Sequence, residues 1–219
     1  MTSSSPFEYI HDPDAISRES FVRIRAEAEL GHLPGLMESV AERVIHATAL
    51  VEAADYLRFS VDAAERTRSA LQAGAPILVD AQMVARGVTA RFLPANNRVI
   101  CCLTDDGVDT DAKARGETRS AVAVERWADH LDGAVCVFGN APTALFRLLE
   151  MLLAGAPKPA AILGFPVGFV GAAESKAALV EMISQDEQSD IAFITMVGRL
   201  GGSAVAAGTL NAIALGGNP

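Results

Sequence analysis

Arg43 and His46 lie three residues apart in Arg43-Val44-Ile45-His46-Ala47-Thr48-Ala49, inside a segment that reads as a helix over residues 36–51. At about 100° per residue the two side chains are roughly 60° apart. They share a flank beside the apolar arc of Leu36, Met37, Val40 and Val44. A guanidinium next to an imidazole lowers the imidazole's affinity for a proton, because two like charges oppose each other. A carboxylate that neutralised Arg43 would let His46 hold a proton again. That is a usable arrangement for proton transfer. A solvated surface histidine is the other reading of the same spacing, and both stand at this point.

Three apolar runs end in glycine-bearing loops that open into helical patterns. Gly139-Asn140-Ala141-Pro142-Thr143 follows Ala134-Val135-Cys136-Val137-Phe138. Gly164-Phe165-Pro166-Val167-Gly168 follows Ala160-Ala161-Ile162-Leu163, and Gly198-Arg199-Leu200-Gly201-Gly202-Ser203 follows Phe193-Ile194-Thr195-Met196-Val197. Asn140 is placed to cap a helix and Pro142 to occupy its first turn. Helix mouths expose unpaired N–H groups and attract anions. In an open parallel sheet, successive loops of this kind lie at one edge, where ligands bind.

Arg119, in Gly116-Glu117-Thr118-Arg119-Ser120, falls in the first turn of another helical pattern. A cation is unfavourable there. Either it pairs with Glu117 or Asp111, or it adds charge to an anion site; Arg199 carries the same two readings. The chain has fifteen arginines and only Lys113, Lys158 and Lys176. Coding bias explains most of that excess, yet arginine also suits carboxylate partners because its planar fork binds them bidentately. Cys101, Cys102 and Cys136 lack metal-ligand spacing and read as buried reduced thiols, the first two on opposite faces of a strand. Neither a Gly-x-Gly-x-x-Gly pattern, nor a Walker loop, nor a nucleophile elbow is present.

The elements that must position these residues alternate. Helices are expected over residues 12–30, 36–51 and 60–73. From residue 76 strand and helix then alternate about five times: strands at 76–80, 97–103, 132–138, 159–163 and 191–197, and helices at 81–85, 117–131, 143–153, 172–183 and 203–215. Residues 104–110 and 184–189 read as polar loops. The pattern is that of an α/β protein, a parallel sheet of about five strands with helices on both faces, preceded by N-terminal helices. With neither linker nor repeat, 219 residues make a single domain. Residues 1–8 are expected to form a flexible lead-in, and they lack the basic start and apolar stretch of an export signal. A net charge of −9 argues against nucleic acid and anionic membrane as partners. Apolar stretches are broken well short of a membrane span. A cytoplasmic protein is expected.

Several of these segments, in order, resemble the precorrin-8X methylmutases of cobalamin biosynthesis. They are Asn140-Ala141-Pro142-Thr143-Ala144-Leu145-Phe146, Pro166-Val167-Gly168-Phe169-Val170-Gly171, Gly198-Arg199-Leu200-Gly201-Gly202-Ser203, Arg43-Val44-Ile45-His46-Ala47, Thr118-Arg119-Ser120-Ala121 and the region around Ser20. The resemblance covers residues 8–215. It implies a flavodoxin-like fold, a homodimer, and an isomerase that moves a methyl group from carbon 11 to carbon 12 of a corrinoid ring. It places the catalytic histidine on His46, substrate contacts on Ser20, Arg43 and Arg119, and further contacts near Asp80, Thr89 and Asn140. No cofactor and no metal are implied. Ser17 stands where the family commonly has tyrosine, and Ala49 where glycine is usual. A methyl shift of this kind needs a rigidly held macrocycle and one well-placed proton. The cobalt-containing form of the reaction, a non-catalytic corrinoid carrier and a flavin-binding redox protein are the competing readings.

Overall fold

A computed structural model describes residues 7–185 and 190–217. Most of the expected lead-in, residues 1–6, and most of the expected loop at 184–189 lie outside the described residues. Ser184 and Gln185 belong to a helix.

Two helices come first, α1 (Pro13–Glu27) and α2 (Met37–Thr48). Asp12 caps α1 by accepting the Asp14 amide at 3.1 Å, with Pro13 in the first turn. A 3-10 turn then leads into β1 (Leu57–Phe59) and α3 (Ala63–Gln72). Next are β2 (Ile77–Val79), α4 (Gln82–Gly87), a 3-10 turn over Ala90–Phe92, and β3 (Val99–Ile100). Two helices follow, α5 (Val108–Arg115) and α6 (Arg119–Glu125). The remainder is β4 (Val135–Phe138), α7 (Pro142–Leu153), β5 (Ala161–Gly164), α8 (Ala172–Gln185), β6 (Ala192–Met196) and α9 (Ser203–Leu215).

The sheet has six strands in the order β1-β6-β5-β4-β2-β3. Five of them are parallel; numbered among themselves in chain order they run 2-1-3-4-5, the flavodoxin-like order. The sixth, β1, corrects the expectation of about five. It pairs antiparallel with β6, Leu57 opposite Met196 and Phe59 opposite Ile194. Three residues are too few to show a period.

Alternation across the central strands builds two cores. Ile77, Val79, Val135, Val137, Leu163, Ile194 and Met196 pack with α2, α3 and α9 on one face. Leu78, Cys136, Phe138, Ile162 and Phe193 pack with α6, α7 and α8 on the other. The four strands β2, β4, β5 and β6 are buried on both faces, as the centre of a sheet between helical layers requires, while the edge strands β1 and β3 are partly open.

Three local expectations change. The strand expected over 97–103 shrinks to two residues; Cys101 follows it and Cys102 opens a 3-10 turn, although the two thiols do pack toward opposite cores. The loop expected at 104–110 gives way at Val108 to α5, which starts after Gly107 in a left-handed conformation (φ 84°). The long helix expected over 117–131 is α6 plus a separate 3-10 turn over Ala128–His130.

Candidate functional site

α1 and α2 run side by side, and their contact assembles the proton-transfer candidate. Ser20 Oγ lies 3.0 Å from His46 Nδ1. When the hydroxyl donates, Nδ1 accepts and the ring proton sits on Nε2, the nitrogen that Ser20 leaves open. The His46 ring stacks on Phe21, centroids 5.1 Å apart and planes 20° from parallel. The Arg43 guanidinium lies over that same Phe21 ring at 4.6 Å. Phe21 therefore ties the histidine to the arginine, a role its sequence position does not advertise. Desolvation lowers the His46 pKa, and the nearby Arg43 charge lowers it further. Burial likewise lowers the Arg43 pKa, partly offset by Glu42. Glu42 is itself held by Arg25, which donates to its two carboxylate oxygens at 2.5 and 3.0 Å.

Beside this cluster is a groove of about 710 Å³ between α1, α2, the turn at Ala90–Phe92 and the end of α9. Phe21 and Arg43 line it, as do Ser17, Arg18, Arg25 and Arg91. Four guanidiniums in one groove, with Asp14 the carboxylate among its lining residues, make it a place for an anionic ligand.

Asp80 and Asn140 meet at the sheet edge. Asp80 is only 2% exposed. Its carboxylate accepts the backbone amides of Gly139 at 2.9 Å, Asn140 at 2.9 Å and Ala141 at 2.8 Å. Burial raises the Asp80 pKa while these amides pull it back. The expected cap is thus corrected: Ala141, not Asn140, is the N-cap residue of α7, without a side-chain cap bond, and Asn140 is exposed. The amides expected to await an anion at this mouth already serve the protein's own carboxylate. The three glycine loops are also tied to one another. Phe165 donates its amide to Phe138 O at 2.8 Å, and Gly202 donates to Phe165 O at 2.8 Å. Lys176, 1% exposed, donates its Nζ to the Leu200 carbonyl, and desolvation lowers its pKa to about 8.

Arg119 opens α6, beside the cap Thr118, whose Oγ1 accepts the Ala121 amide at 3.2 Å and meets Thr143 Oγ1 at 2.7 Å. The carboxylates considered for Arg119 are engaged elsewhere: Glu117 with Arg147 and Asp111 with Arg126. Among the described residues Arg119 is in no ion pair within 4 Å, though its charge reaches Asp109. Thr89 is half-buried, its amide donating to Asn211 Oδ1 at 2.9 Å.

One helix touches three of these places. The first residue of α9, Ser203, donates to Gly139 O at 3.3 Å. Gly208 faces Arg43, and Asn211 holds Thr89 and the Gly87 carbonyl. Yet among the described residues no hydrogen bond or ion pair joins the His46 cluster to Asp80, Asn140 or Arg119. Nor does any group of three or more His, Cys, Asp or Glu side chains there fit a metal ion.

The parallel order and the two cores are those of a flavodoxin-like α/β protein, here with a groove beside the helix pair that precedes the sheet. The model of the precorrin-8X methylmutase family matches residues 15–215. A precorrin-8X methylmutase of Pseudomonas aeruginosa is 58% identical over 207 residues, covering 94% of this chain and 97% of that one. One from a Sinorhizobium species is 52% identical over 208 residues, covering 95% and 97%. A cobalt-precorrin-8 methylmutase of Salmonella typhimurium is 38% identical over 214 residues, covering 94% and 96%. The solved structure of a precorrin-8X methyl mutase from Thermus thermophilus superimposes with a TM-score of 0.82 at 40% identity, covering 94% of this chain and 98% of that one. The chain belongs to the precorrin-8X methylmutase family, isomerases of cobalamin biosynthesis.

Proposed function

We propose that this chain converts precorrin-8X into hydrogenobyrinic acid by moving the methyl group from carbon 11 to carbon 12, with His46 as the proton donor. The observation that carries this reading is the Ser20–His46–Phe21–Arg43 cluster, two of whose members, Phe21 and Arg43, line a groove that holds three more arginines. The reaction is an isomerisation that needs a held ring and a proton at the ring nitrogen beside the migrating methyl. Ser20 orients the imidazole. Burial and, to a lesser degree, the Arg43 charge favour its neutral form until a substrate carboxylate arrives, and the same carboxylate then favours the imidazolium. Arg119, Thr89 and Asn140 complete the substrate contacts, with Asp80 acting through the loop it holds. The metal-free substrate is preferred because the relatives at 58% and 52% identity bear its name.

We further read the protein as a cytoplasmic homodimer. Among the described residues no helix is long and apolar enough to cross a membrane. Phe169 and Val170, 83% and 88% exposed on the loop after β5, offer apolar surface for a second copy to cover.

The test is incubation of purified protein with precorrin-8X, followed by the visible spectrum of the product. His46→Ala is expected to remain folded and to lose about 100-fold or more in turnover. Near-normal turnover by that variant would remove His46 from the chemistry. Conversion of cobalt-precorrin-8 alone would reassign the substrate.

A further inference from the structure

Lys176 is a buried charge that the proposed reaction does not use. It is 1% exposed, and its Nζ donates to the Leu200 carbonyl. Among the described residues it is in no ion pair, and desolvation acts on it with no carboxylate to offset the cost. It begins the second turn of α8, where a cation gains nothing from the helix dipole. Lysine is almost never fully buried unless paired, because taking an ammonium out of water is expensive. This one is committed to a backbone carbonyl in the loop after β6.

That loop, residues 198–202, leads directly into α9, and it is laced to the loop after β5. Gly202 donates its amide to Phe165 O at 2.8 Å, Gly168 donates to Arg199 O at 3.4 Å, and the Arg199 guanidinium lies over the Phe169 ring at 5.0 Å. The two loops approach so closely that a Cβ on Gly201 would come within 2.7 Å of Pro166 O. Of these hydrogen bonds the one from Lys176 is charge-assisted, and its donor is shielded from water, where such a bond is strong. At its far end the loop hands over to Ser203, whose hydroxyl donates to Gly139 O at 3.3 Å. Further along α9, Gly208 faces Arg43 and Asn211 accepts the Thr89 amide.

We propose that Lys176 is a positioning residue of the isomerase: its ammonium locks the 198–202 loop against the loop after β5 and so sets the position of α9, the helix that backs Arg43 and the turn carrying Thr89. This rests on the reading that Arg43 and Thr89 contact the corrinoid. Without the ammonium, Leu200 O loses its donor, the two loops loosen, and the start of α9 is no longer fixed. Ser20 and His46 meet each other between α1 and α2, so the proton-bearing pair stays assembled while the substrate contacts backed by α9 are displaced. The loss therefore falls on substrate binding and spares the chemical step.

The experiment compares wild type, Lys176→Met, Lys176→Gln and Lys176→Arg by amide hydrogen exchange and by turnover of precorrin-8X. Methionine keeps the apolar stem and removes the donor, glutamine keeps a neutral donor, and arginine keeps the charge. Circular dichroism checks the fold of each variant, and Lys176→Gln decides the matter if Lys176→Met does not fold. In Lys176→Met, peptides spanning residues 165–171 and 198–206 should exchange about ten-fold faster, the scale of one charge-assisted bond, while those of β4 exchange as in wild type. KM for precorrin-8X should rise by about ten-fold with kcat nearly unchanged. Lys176→Gln should move both readouts in the same direction, and Lys176→Arg should recover part of the KM. A lysine that merely filled the core would leave KM unmoved in the methionine variant. Folded Lys176→Met and Lys176→Gln proteins with wild-type exchange in both loops, or with wild-type KM, would overturn the positioning role. Wild type that leaves precorrin-8X unchanged would instead overturn the isomerase reading, and the positioning role with it; the exchange measurement, which needs no corrinoid, tells the two failures apart.

Discussion

His46 faces two influences that favour its neutral form, the Phe21 ring against one face and the Arg43 charge beside it. Both lower its pKa, desolvation being the larger. The stability consequence has a definite sign. Above the ordinary imidazole range neither folded nor unfolded chain binds the proton, and the neutral ring carries no penalty. As pH falls the unfolded chain protonates first, so this residue's contribution is lost on the acid side. The functional consequence can be separated from it. Arg43→Gln removes the smaller cause only, so the His46 pKa should rise part of the way toward its ordinary value. An NMR titration of the ring proton resonances measures this. A pKa that stays put or falls would show that the Arg43 charge does not govern the imidazole.

The helix that carries His46 ends abruptly. Its amide ladder closes with Ala49 donating to Ile45 O at 2.8 Å, and Ala49 itself is left-handed at φ 56° and ψ 25°. An L-residue with a side chain is strained there, by about 1–2 kcal/mol. Glycine fits this conformation freely, and alanine does not. Ala49→Gly should therefore raise stability, by about 1 kcal/mol, less what glycine loses in unfolded-state entropy. Urea unfolding would read it as a higher midpoint at unchanged slope; a lower midpoint would refute the strain. Another demanding contact is at Gly139. A Cβ there would come within 2.6 Å of Val84 and 2.7 Å of the Ser203 backbone, so the start of α9 can approach the loop that Asp80 holds only because the side chain is missing.

At the scale of the whole molecule the site residues fall into separate groups. Ser20, Arg43 and His46 belong to the helices that precede the sheet, whereas Asn140 and Arg119 belong to α7's entry and α6. A corrinoid needs walls on several sides, and a second subunit using the same patch about a two-fold axis would supply them. Sedimentation at micromolar concentration should give twice the 22.9 kDa chain mass. The interface should bury about 2,000 Å² or more in total. If both subunits contribute to each pocket, mixing inactive His46→Ala chains with inactive Arg119→Ala chains should recover part of the activity. Full chain exchange without recovery would place both residues in one subunit's pocket.

What the sequence determined by itself is what near neighbours dictate. Short apolar runs ending in glycine-bearing loops marked the parallel strands β4, β5 and β6, and α9 begins and ends where its pattern does, at Ser203 and Leu215. The shared flank of Arg43 and His46 was legible for the same reason, since a helix fixes the angle between residues three apart. Pairings across long stretches of chain were not. β1 has only three residues, and its partner Met196 lies 139 positions away, so no local period announces it. Asn140 had the right residue type to cap α7, but Asp80, sixty positions earlier, reaches the same amides first because β2 and β4 are neighbours in the sheet. Ser20 meets His46, and Phe21 joins His46 to Arg43, only because α1 lies along α2. Arg43 and Arg91 line one groove because α2 and the turn at Ala90–Phe92 are brought together in the fold, which neither arginine's own segment encodes. Periodicity is a property of the covalent chain; which carboxylate is already paired and which guanidinium is still open is settled by packing in three dimensions.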